Sequence, residues 1–240
     1  MNTTSQELHT RLAANLNGVR DRIAAAARRS GRTAEHVRLV AVTKSVDVPV
    51  ARALVELGQQ DLAENRPQEL WRKADAIPPN GVRWHLVGHL QRNKVRRTLP
   101  RTSMIHSVDS IRLAAEINRQ AEQMDLYPIV LLEVNMSREP QKHGFAPEEM
   151  PRVLEELGGL SRLRIVGLMT MAAWDPDPQK ARPAFAGLRT LAERLRSISP
   201  RNCELRELSM GMSHDFEVAI EEGATIVRIG TALFEGLYGG

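Results

Sequence analysis

The sequence predicts an α/β protein of the (β/α)8 barrel class, and three observations support this. Short apolar runs alternate with helical stretches along most of the chain, and eight such runs are present. Strands buried on both faces read as continuous apolar runs, and their alternation with helices indicates parallel pairing. The chain has 240 residues, and a barrel of about 200–250 residues commonly forms one domain. We therefore expect a single domain over residues 1–240, with a doubly wound open sheet as the alternative.

The chain opens with a predicted amphipathic helix within residues 1–30, which we expect to pack on the barrel. Apolar side chains recur there every three or four residues, so they share one face. Gly31 follows as the expected stop. The residues of this face are Leu8, Leu12, Leu16, Val19 and Ile23.

The eight strands and the helices between them follow from the same alternation. Prolines at 49, 67 and 147 fall in first helical turns, where proline is tolerated. The predicted strands are 39–43, 61–65, 84–88, 104–108, 129–135, 165–171, 207–212 and 225–230. The predicted helices are 49–57, 67–76, 91–97, 111–124, 147–157, 179–197 and 214–222.

Composition excludes several classes of protein. The mean hydropathy is −0.32, and no apolar run approaches the roughly 20 residues of a membrane span. The polar N-terminus does not resemble a signal peptide, and the single Cys203 cannot form an internal disulfide. We therefore expect a cytoplasmic protein with no membrane partner.

The basic balance favours an anionic ligand. The net charge is +4 and the pI is about 9.6, which suits nucleic acid or phosphorylated small molecules. Aromatic residues make up only 4% of the chain, so the stacking platform of a single-strand binder is missing. We therefore expect no nucleic-acid partner.

In a parallel barrel the ligand site forms at the C-terminal ends of the strands. Lys44 closes the first apolar run. A lysine partly desolvated at a barrel mouth has a lowered pKa, and its neutral amine can attack an aldehyde. A solvated lysine at a strand end is the more common case on position alone.

The loops after the seventh and eighth strands predict a phosphate site, as is frequent in such barrels. Gly211 and Gly230 allow backbone N–H groups to approach an anion, and Ser213 and Thr231 supply hydroxyl donors. A helix beginning near His214 would direct its positive end toward the anion. An ordinary serine cap and a barrel-closing turn are the alternative. A lysine facing a phosphate cup suggests an aldehyde-bearing phosphate, of which pyridoxal 5′-phosphate (PLP) is the obvious example.

These residues also carry a resemblance that covers about positions 8 to 235. The sequence resembles the pyridoxal phosphate homeostasis protein family, also called the pyridoxal phosphate-binding protein family. It departs from the usual pattern at Ala63, His143 and Glu235, where that family commonly has glycine, serine and glycine. The matching segments are LVAVTKSV (39–46), ENRPQE (64–69), WHLVGHLQRNK (84–94), IHSVDS (105–110), GLMTMA (167–172), LSMGMSHDFEVAI (208–220) and VRIGTALF (227–234).

The resemblance implies a fold type III barrel like the N-terminal domain of alanine racemase, with PLP held on Lys44 through a Schiff base. The sequence leaves open whether Arg228 contacts the phosphate or the pyridine nitrogen. The residues matched to the surroundings of the phosphate are Ser213, Arg228, Gly230 and Thr231. Those matched to the rest of the pocket are Asn65, His85, Asn135 and the loop Met210 to Met212.

The resemblance further implies binding, buffering and delivery of PLP without substrate turnover, with PLP-dependent apoenzymes as recipients, and we expect a monomer. A PLP-dependent amino-acid racemase is the alternative function. A barrel racemase needs a second acid–base group, often a tyrosine. Tyr127 precedes the fifth strand, at the wrong end, and Tyr238 lies in the extreme tail.

Two further points concern charged side chains near the predicted mouth. Glu64 and Asp215 could face the cofactor ring, but a capping or salt-bridge role is equally consistent with the sequence. The pair His85 and His89 has the spacing of helical zinc ligands, but Gly88 interrupts it, so we expect no metal.

Overall fold

The computed structural model describes residues 3–77, 79, 81–139, 141 and 143–237, with side chains from residue 6 onward. Within these residues, eight parallel strands pair in sequence order, and the eighth pairs with the first to close a barrel. The predicted (β/α)8 fold is therefore confirmed, and the open-sheet alternative is wrong. The strands are β1 (Arg38–Val42), β2 (Asp61–Glu64), β3 (Arg83–Leu86), β4 (Met104–Val108), β5 (Ile129–Glu133), β6 (Arg164–Met169), β7 (Cys203–Ser209) and β8 (Ile226–Ile229).

Helices surround the barrel, and several begin with short 3-10 turns that the sequence did not distinguish. The first helix carries the predicted apolar face, whose residues Leu12 and Leu16 are buried, and it packs against the last helix. The helices are α1 (Thr3–Arg29), α2 (Val48–Glu56), α3 (Pro67–Ala76), α4 (Val95–Thr98), α5 (Ile111–Gln123), α6 (Met150–Leu157), α7 (Arg182–Arg196) and α8 (Phe216–Glu221). No helix in the described part of the chain has the length and apolar character needed to cross a membrane.

Side chains alternate along each strand, and this alternation separates two cores. Outward-facing side chains pack against the helices in a large outer core that includes Leu39 and Ala41. Inward-facing side chains form a small inner core, so the barrel is filled rather than hollow. The buried residues of the inner core are Val40, Val42, Ala63, Met104, Leu131, Val166, Met169 and Ile226.

The largest error in the predicted strands is at β7, which starts at Cys203 rather than at residue 207. Exposed Glu204 and Arg206 alternate with buried Cys203 and Leu205 there, so the segment lacks the continuous apolar run used as the criterion. Leu205 also has a φ of +46°, and the pairing with β6 shifts register in this region. The criterion of a continuous apolar run therefore missed the first four residues of β7.

Candidate functional site

A cavity of about 450 Å³ opens at the C-terminal ends of the strands. This volume lies within the usual range of small-molecule sites, about 300–1,000 Å³. The cavity brings together seven of the predicted site residues with several that were not predicted. Its lining residues are Val42, Lys44, Asn65, Val87, Gly88, Met171, Met212, Ser213, His214, Arg228, Gly230 and Thr231.

Lys44 lies two residues beyond the end of β1 and lines the cavity. It continues the inward alternation of Val40 and Val42, which belong to the inner core. Its side chain is exposed, so the alternative of a solvated lysine at a strand end is confirmed over that of a desolvated one. The amine is accessible from solvent and from the cavity, which suits a group that exchanges a ligand.

The residues immediately before Lys44 and Asn65 belong to a buried cluster of Thr43, Glu64 and Lys73, which we call the outer ion pair after its two charged members. Lys73 Nζ donates to the Thr43 carbonyl (2.6 Å) and to Glu64 Oε1 (2.5 Å). The Thr43 hydroxyl also donates to Glu64 Oε1, at 2.6 Å. Because Thr43 precedes Lys44 and Glu64 precedes Asn65, this cluster anchors both lining residues.

Glu64 acts as the buried salt-bridge partner of Lys73. The side chains of Glu64 and Lys73 are 0% and 1% exposed, because Glu64 points outward from β2 toward helix α3. The salt-bridge interpretation of Glu64 is confirmed, and the interpretation in which it faces a cofactor ring is wrong.

The loops after β7 and β8 meet on the other side of the cavity. Ser213 Oγ accepts hydrogen bonds from the N–H groups of Gly230 (3.2 Å) and Ala232 (3.3 Å). A hydroxyl that accepts two bonds still has its own proton to donate. Gly211 permits the approach of this loop, since its φ is +91° and a Cβ there would lie 2.6 Å from the Cβ of Ala219. The two predicted phosphate loops are thus joined through Ser213.

The helix predicted to begin near His214 starts at Phe216 and has only six residues. The Oδ1 atom of Asp215 accepts a hydrogen bond from the Met212 N–H at 2.6 Å, so a carboxylate already occupies this turn. The helix thus begins two residues later than predicted, and the contribution of its dipole to anion binding stays a prediction. Asp215 is the residue before the helix, but its side chain makes no capping hydrogen bond to the helix and instead bonds back to Met212.

Below the cavity, five polar side chains cross the inside of the barrel, and we call them the inner chain: Asp61, His85, His106, Ser209 and Arg228. At its lower end Arg83 donates to both oxygens of Asp61 (2.7 and 2.6 Å), so this carboxylate accepts only. His85 therefore donates from Nε2 to Asp61 Oδ1 (3.0 Å).

The bond from His85 to Asp61 determines which atom donates in each remaining hydrogen bond of the inner chain. A neutral His85 that donates from Nε2 accepts at Nδ1, from His106 Nε2 at 2.9 Å. His106 then accepts at Nδ1 from the Ser209 hydroxyl, at 2.8 Å. The guanidinium of Arg228 donates from Nη1 to Ser209 Oγ (2.7 Å) and from Nη2 to the Thr170 carbonyl (3.0 Å). The chain thus holds Arg228 in one orientation at the floor of the cavity.

Burial shifts the titration of most groups in the inner chain. Desolvation lowers the pKa of His85 and lowers that of His106 well below its usual range, so both are neutral at pH 7. Desolvation would raise the pKa of Asp61, but hydrogen bonds from Arg83 and His85 outweigh it and hold it well below its usual range. Desolvation lowers the pKa of Arg228 to about 10, against the opposing charges of Asp215 and Glu133. Arg228 therefore stays a cation at neutral pH.

Glu133, at the end of β5, is a buried acid near this cation. Desolvation raises its pKa to about 7, the charge of Asp109 adds to the shift, and Arg228 and His89 oppose it. No motif in the sequence indicated this residue, because its burial depends on packing inside the barrel.

Three predicted site residues are not brought to the cavity. His85 is 1% exposed and has both ring nitrogens bonded within the inner chain, so it does not line the cavity, and its contact with a ligand stays a prediction. Met210 is fully buried in the outer core, since it alternates with the inward-facing Ser209. Asn135 lies in the loop after β5, where its amide donates to the Glu139 carbonyl at 2.9 Å.

Several lining residues were missed as candidates although they stand at strand ends. Alternation would have found Val87 two residues after the inward-facing His85. His214 was considered only as a helix start, yet it lines the cavity, and its Nε2 lies 3.0 Å from the Asp175 carbonyl. Gly88 brings two loops together, because a Cβ there would lie 2.1 Å from the Asn65 carbonyl oxygen.

The barrel and its rim define a class of protein first. The family model described as "Alanine racemase, N-terminal domain" matches residues 15–237. Alanine racemase of Clostridium difficile 630 has the same fold, with a TM-score of 0.71 at 18% identity, over 94% of this chain and 55% of that chain. The predicted fold type III barrel is thus confirmed.

The curated relatives then identify the family. The pyridoxal phosphate homeostasis protein of Aquifex aeolicus is 41% identical over 219 residues, covering 91% of this chain and 95% of that protein. The protein of that name from Escherichia coli K12 is 36% identical over 227 residues, covering 93% and 95%. The chain belongs to the pyridoxal phosphate homeostasis protein family, as the resemblance predicted. PipY of Synechococcus elongatus, solved with PLP bound, is 33% identical with a TM-score of 0.80, over 93% of this chain and 99% of that chain.

Proposed function

We propose that the chain binds PLP in this cavity and holds and supplies it within the cell's PLP homeostasis, without turning over a substrate. One observation carries the proposal: a single cavity joins an accessible lysine amine, hydroxyl donors on two glycine-containing loops, and a fixed buried arginine. The names of the curated relatives and the PLP-bound structure of PipY support it.

Lys44 is the residue that would carry the cofactor. Bound PLP supplies an aldehyde, which condenses reversibly with a primary amine and releases water. Among the lysines of the described residues, Lys44 alone lines the cavity, since Lys73 is buried in the outer ion pair. Lys142 lies outside the described residues. Lys44 is anchored through Thr43 while its own side chain stays accessible, which suits loading and release.

The phosphate would lie against the joined loops. Ser213 and Thr231, which carry hydroxyls, line this part of the cavity together with Gly230. Backbone N–H groups and hydroxyls at such loops bind phosphate oxygens, often in the loops after strands 7 and 8 of a barrel. The residues that line the cavity therefore fit both the aldehyde and the phosphate of PLP.

Arg228 would face the pyridine nitrogen rather than the phosphate. It lies within β8, two residues below Gly230, and it is held at the cavity floor by Ser209 and the Thr170 carbonyl. A permanent cation can donate a hydrogen bond to this nitrogen but does not protonate it. An unprotonated ring withdraws electrons less strongly, so the site favours holding the cofactor over carbanion chemistry.

The residues around the cavity also favour a carrier over a racemase. Of the lining residues in the described part of the chain, none is a tyrosine. Tyr127 is 58% exposed and precedes β5, so it lies at the opposite end of the barrel, and Tyr238 lies outside the described residues. His214 is engaged with the Asp175 carbonyl. PLP-dependent apoenzymes are the recipients that we propose, and the monomer stays a prediction.

Equilibrium titration of PLP by absorbance tests the site. Ser213→Ala combined with Thr231→Val should weaken PLP binding by about 1–3 kcal/mol, or about 5- to 150-fold, because two bonds to a charged group are lost. Thr10→Val, on the exposed face of α1, is the matched control and should change nothing. Unchanged affinity in the double variant would remove these hydroxyls from the site. Racemisation of alanine at about 1 per second or faster would contradict the carrier function.

A further inference from the structure

Three side chains outside the cofactor cavity converge at the same end of the barrel. His89 follows β3, Asp109 follows β4 and His143 lies in the loop after β5. Each comes from a different loop, and the parallel pairing of β3, β4 and β5 brings them together. The sequence paired His89 with His85, but His85 points into the inner chain, and His89 meets different partners.

The donor atoms of these residues have the spacing of metal ligands. His89 Nδ1 lies 2.8 Å from Asp109 Oδ2, and His143 Nδ1 lies 3.7 Å from the same oxygen. One ligand atom from each residue lies within 4.8 Å of the other two. Ligands about 2.0–2.2 Å from a tetrahedral ion lie about 3.3–3.6 Å from one another, so small side-chain rotations would complete the arrangement.

The surroundings also suit a cation. The Asp109 side chain is 7% exposed, whereas those of His89 and His143 are 46% and 63% exposed. A nearly buried carboxylate therefore lies beneath two solvent-accessible imidazoles. The two rings stack with centroids 4.6 Å apart and planes 19° from parallel. A single hydrogen bond from His89 would satisfy Asp109, but it gives no reason for His143 to stack alongside.

We propose that His89, Asp109 and His143 form a binding site for a divalent transition-metal ion of the Zn²⁺ class. Two imidazole nitrogens and one carboxylate oxygen are a donor set that Zn²⁺ accepts, and three protein ligands leave a position for water. Bound metal cross-links the loops after β3, β4 and β5. Because Gly88 lines the cofactor cavity and precedes His89, the ion stiffens one side of that cavity.

The test uses the full chain and Zn²⁺ alone, in competition with a chromophoric chelator. The wild type should bind one equivalent and unfold at a higher temperature when Zn²⁺ is present. Loss of a partner outside the first coordination sphere already costs about 10–100-fold in affinity. His89→Ala and His143→Ser should therefore each weaken binding at least tenfold, and His36→Ala, at the other end of the barrel, should not.

Two further variants separate this site from the cofactor site. Lys44→Ala should bind Zn²⁺ as tightly as the wild type, and His143→Ser should bind PLP as tightly as the wild type. Absence of Zn²⁺ binding at micromolar concentration would overturn the metal site. Binding that is unaffected by both His89→Ala and His143→Ser would also overturn it. Neither result would affect the proposal for PLP.

Discussion

The outer ion pair and the inner chain are two buried polar assemblies that support opposite sides of one cavity by different means. The outer ion pair lies between β2 and α3 and anchors backbone, through the Thr43 carbonyl. The inner chain lies inside the barrel and orients a side chain, Arg228. The first leaves its lysine neighbour, Lys44, exposed, whereas the second keeps its arginine 4% exposed. The cavity therefore has Arg228 held in place at its floor and the accessible amine of Lys44 on the opposite side.

The two assemblies also differ in how fully their polar atoms are bonded. Every side chain of the inner chain has a partner on both sides, from Arg83 to the Thr170 carbonyl. In the outer ion pair, Glu64 Oε2 is buried without a hydrogen-bond partner among the described residues. Loss of its ion-pair partner Lys73 should therefore be especially costly.

Breaking the outer ion pair should have the largest effect. Lys73→Met leaves the Glu64 carboxylate buried without its cation, and we expect a loss of about 3–5 kcal/mol in the free energy of unfolding. Urea denaturation measures it. Replacing both residues, as Glu64→Leu with Lys73→Met, should recover most of the loss because no charge is left buried. A cost below about 1 kcal/mol for Lys73→Met would contradict the role given to this pair.

Interrupting the inner chain should cost less, because Asp61 stays paired with Arg83 and Arg228 keeps its hydrogen bond to the Thr170 carbonyl. Ser209→Ala leaves His106 Nδ1 and Arg228 Nη1 without their shared partner, so we expect a loss of about 1–3 kcal/mol in the free energy of unfolding. PLP affinity should fall as well, since Arg228 loses one of its two anchors. Thr10→Val is again the control. A stable variant with unchanged PLP affinity would show that Arg228 needs no positioning.

His106 and Glu133, which both lie near Arg228, should affect the pH dependence of the free energy of unfolding in opposite directions. Folding keeps His106 neutral below pH about 6.5, where the unfolded chain takes up a proton, so acidification destabilises the fold. His106→Gln should flatten this dependence between pH 6.5 and pH 5 by up to about 1.4 kcal/mol per pH unit.

Protonation of Glu133 has the opposite effect on the free energy of unfolding. Its pKa of about 7 in the folded protein exceeds the unfolded value of about 4.3, so acidification through this range stabilises the fold. Glu133→Gln should therefore steepen the loss of stability on acidification. Denaturant titrations at several pH values measure both slopes, and two variants that shift the slope in the same direction would contradict these assignments.

Local patterns predicted the fold well because they are properties of short segments. The eight apolar runs and the proline-marked helix starts each reflect burial or backbone geometry within a few residues. Lys44 and the glycine-containing loops were predictable because parallel strands bring their C-terminal ends to one rim.

The errors arose where neighbours distant in sequence decide the role of a residue. Met210 and Ser209 are adjacent, but only the barrel shows which of them points inward. The sequence placed His85 in the pocket, but His106 and Asp61, from other strands, bond to both of its ring nitrogens. Lys73 received no role, since its partner Glu64 becomes its neighbour only when α3 packs on β2.

The attachment of the cofactor to Lys44 is the central claim, and reductive trapping tests it most directly. The protein should turn yellow with PLP, and borohydride should then fix one pyridoxyl group on the peptide that contains Lys44, as mapped by mass spectrometry. Lys44→Ala should give no adduct there. An adduct on Lys73 or on another lysine of the wild type, or a colourless protein that takes up no PLP, would contradict the account.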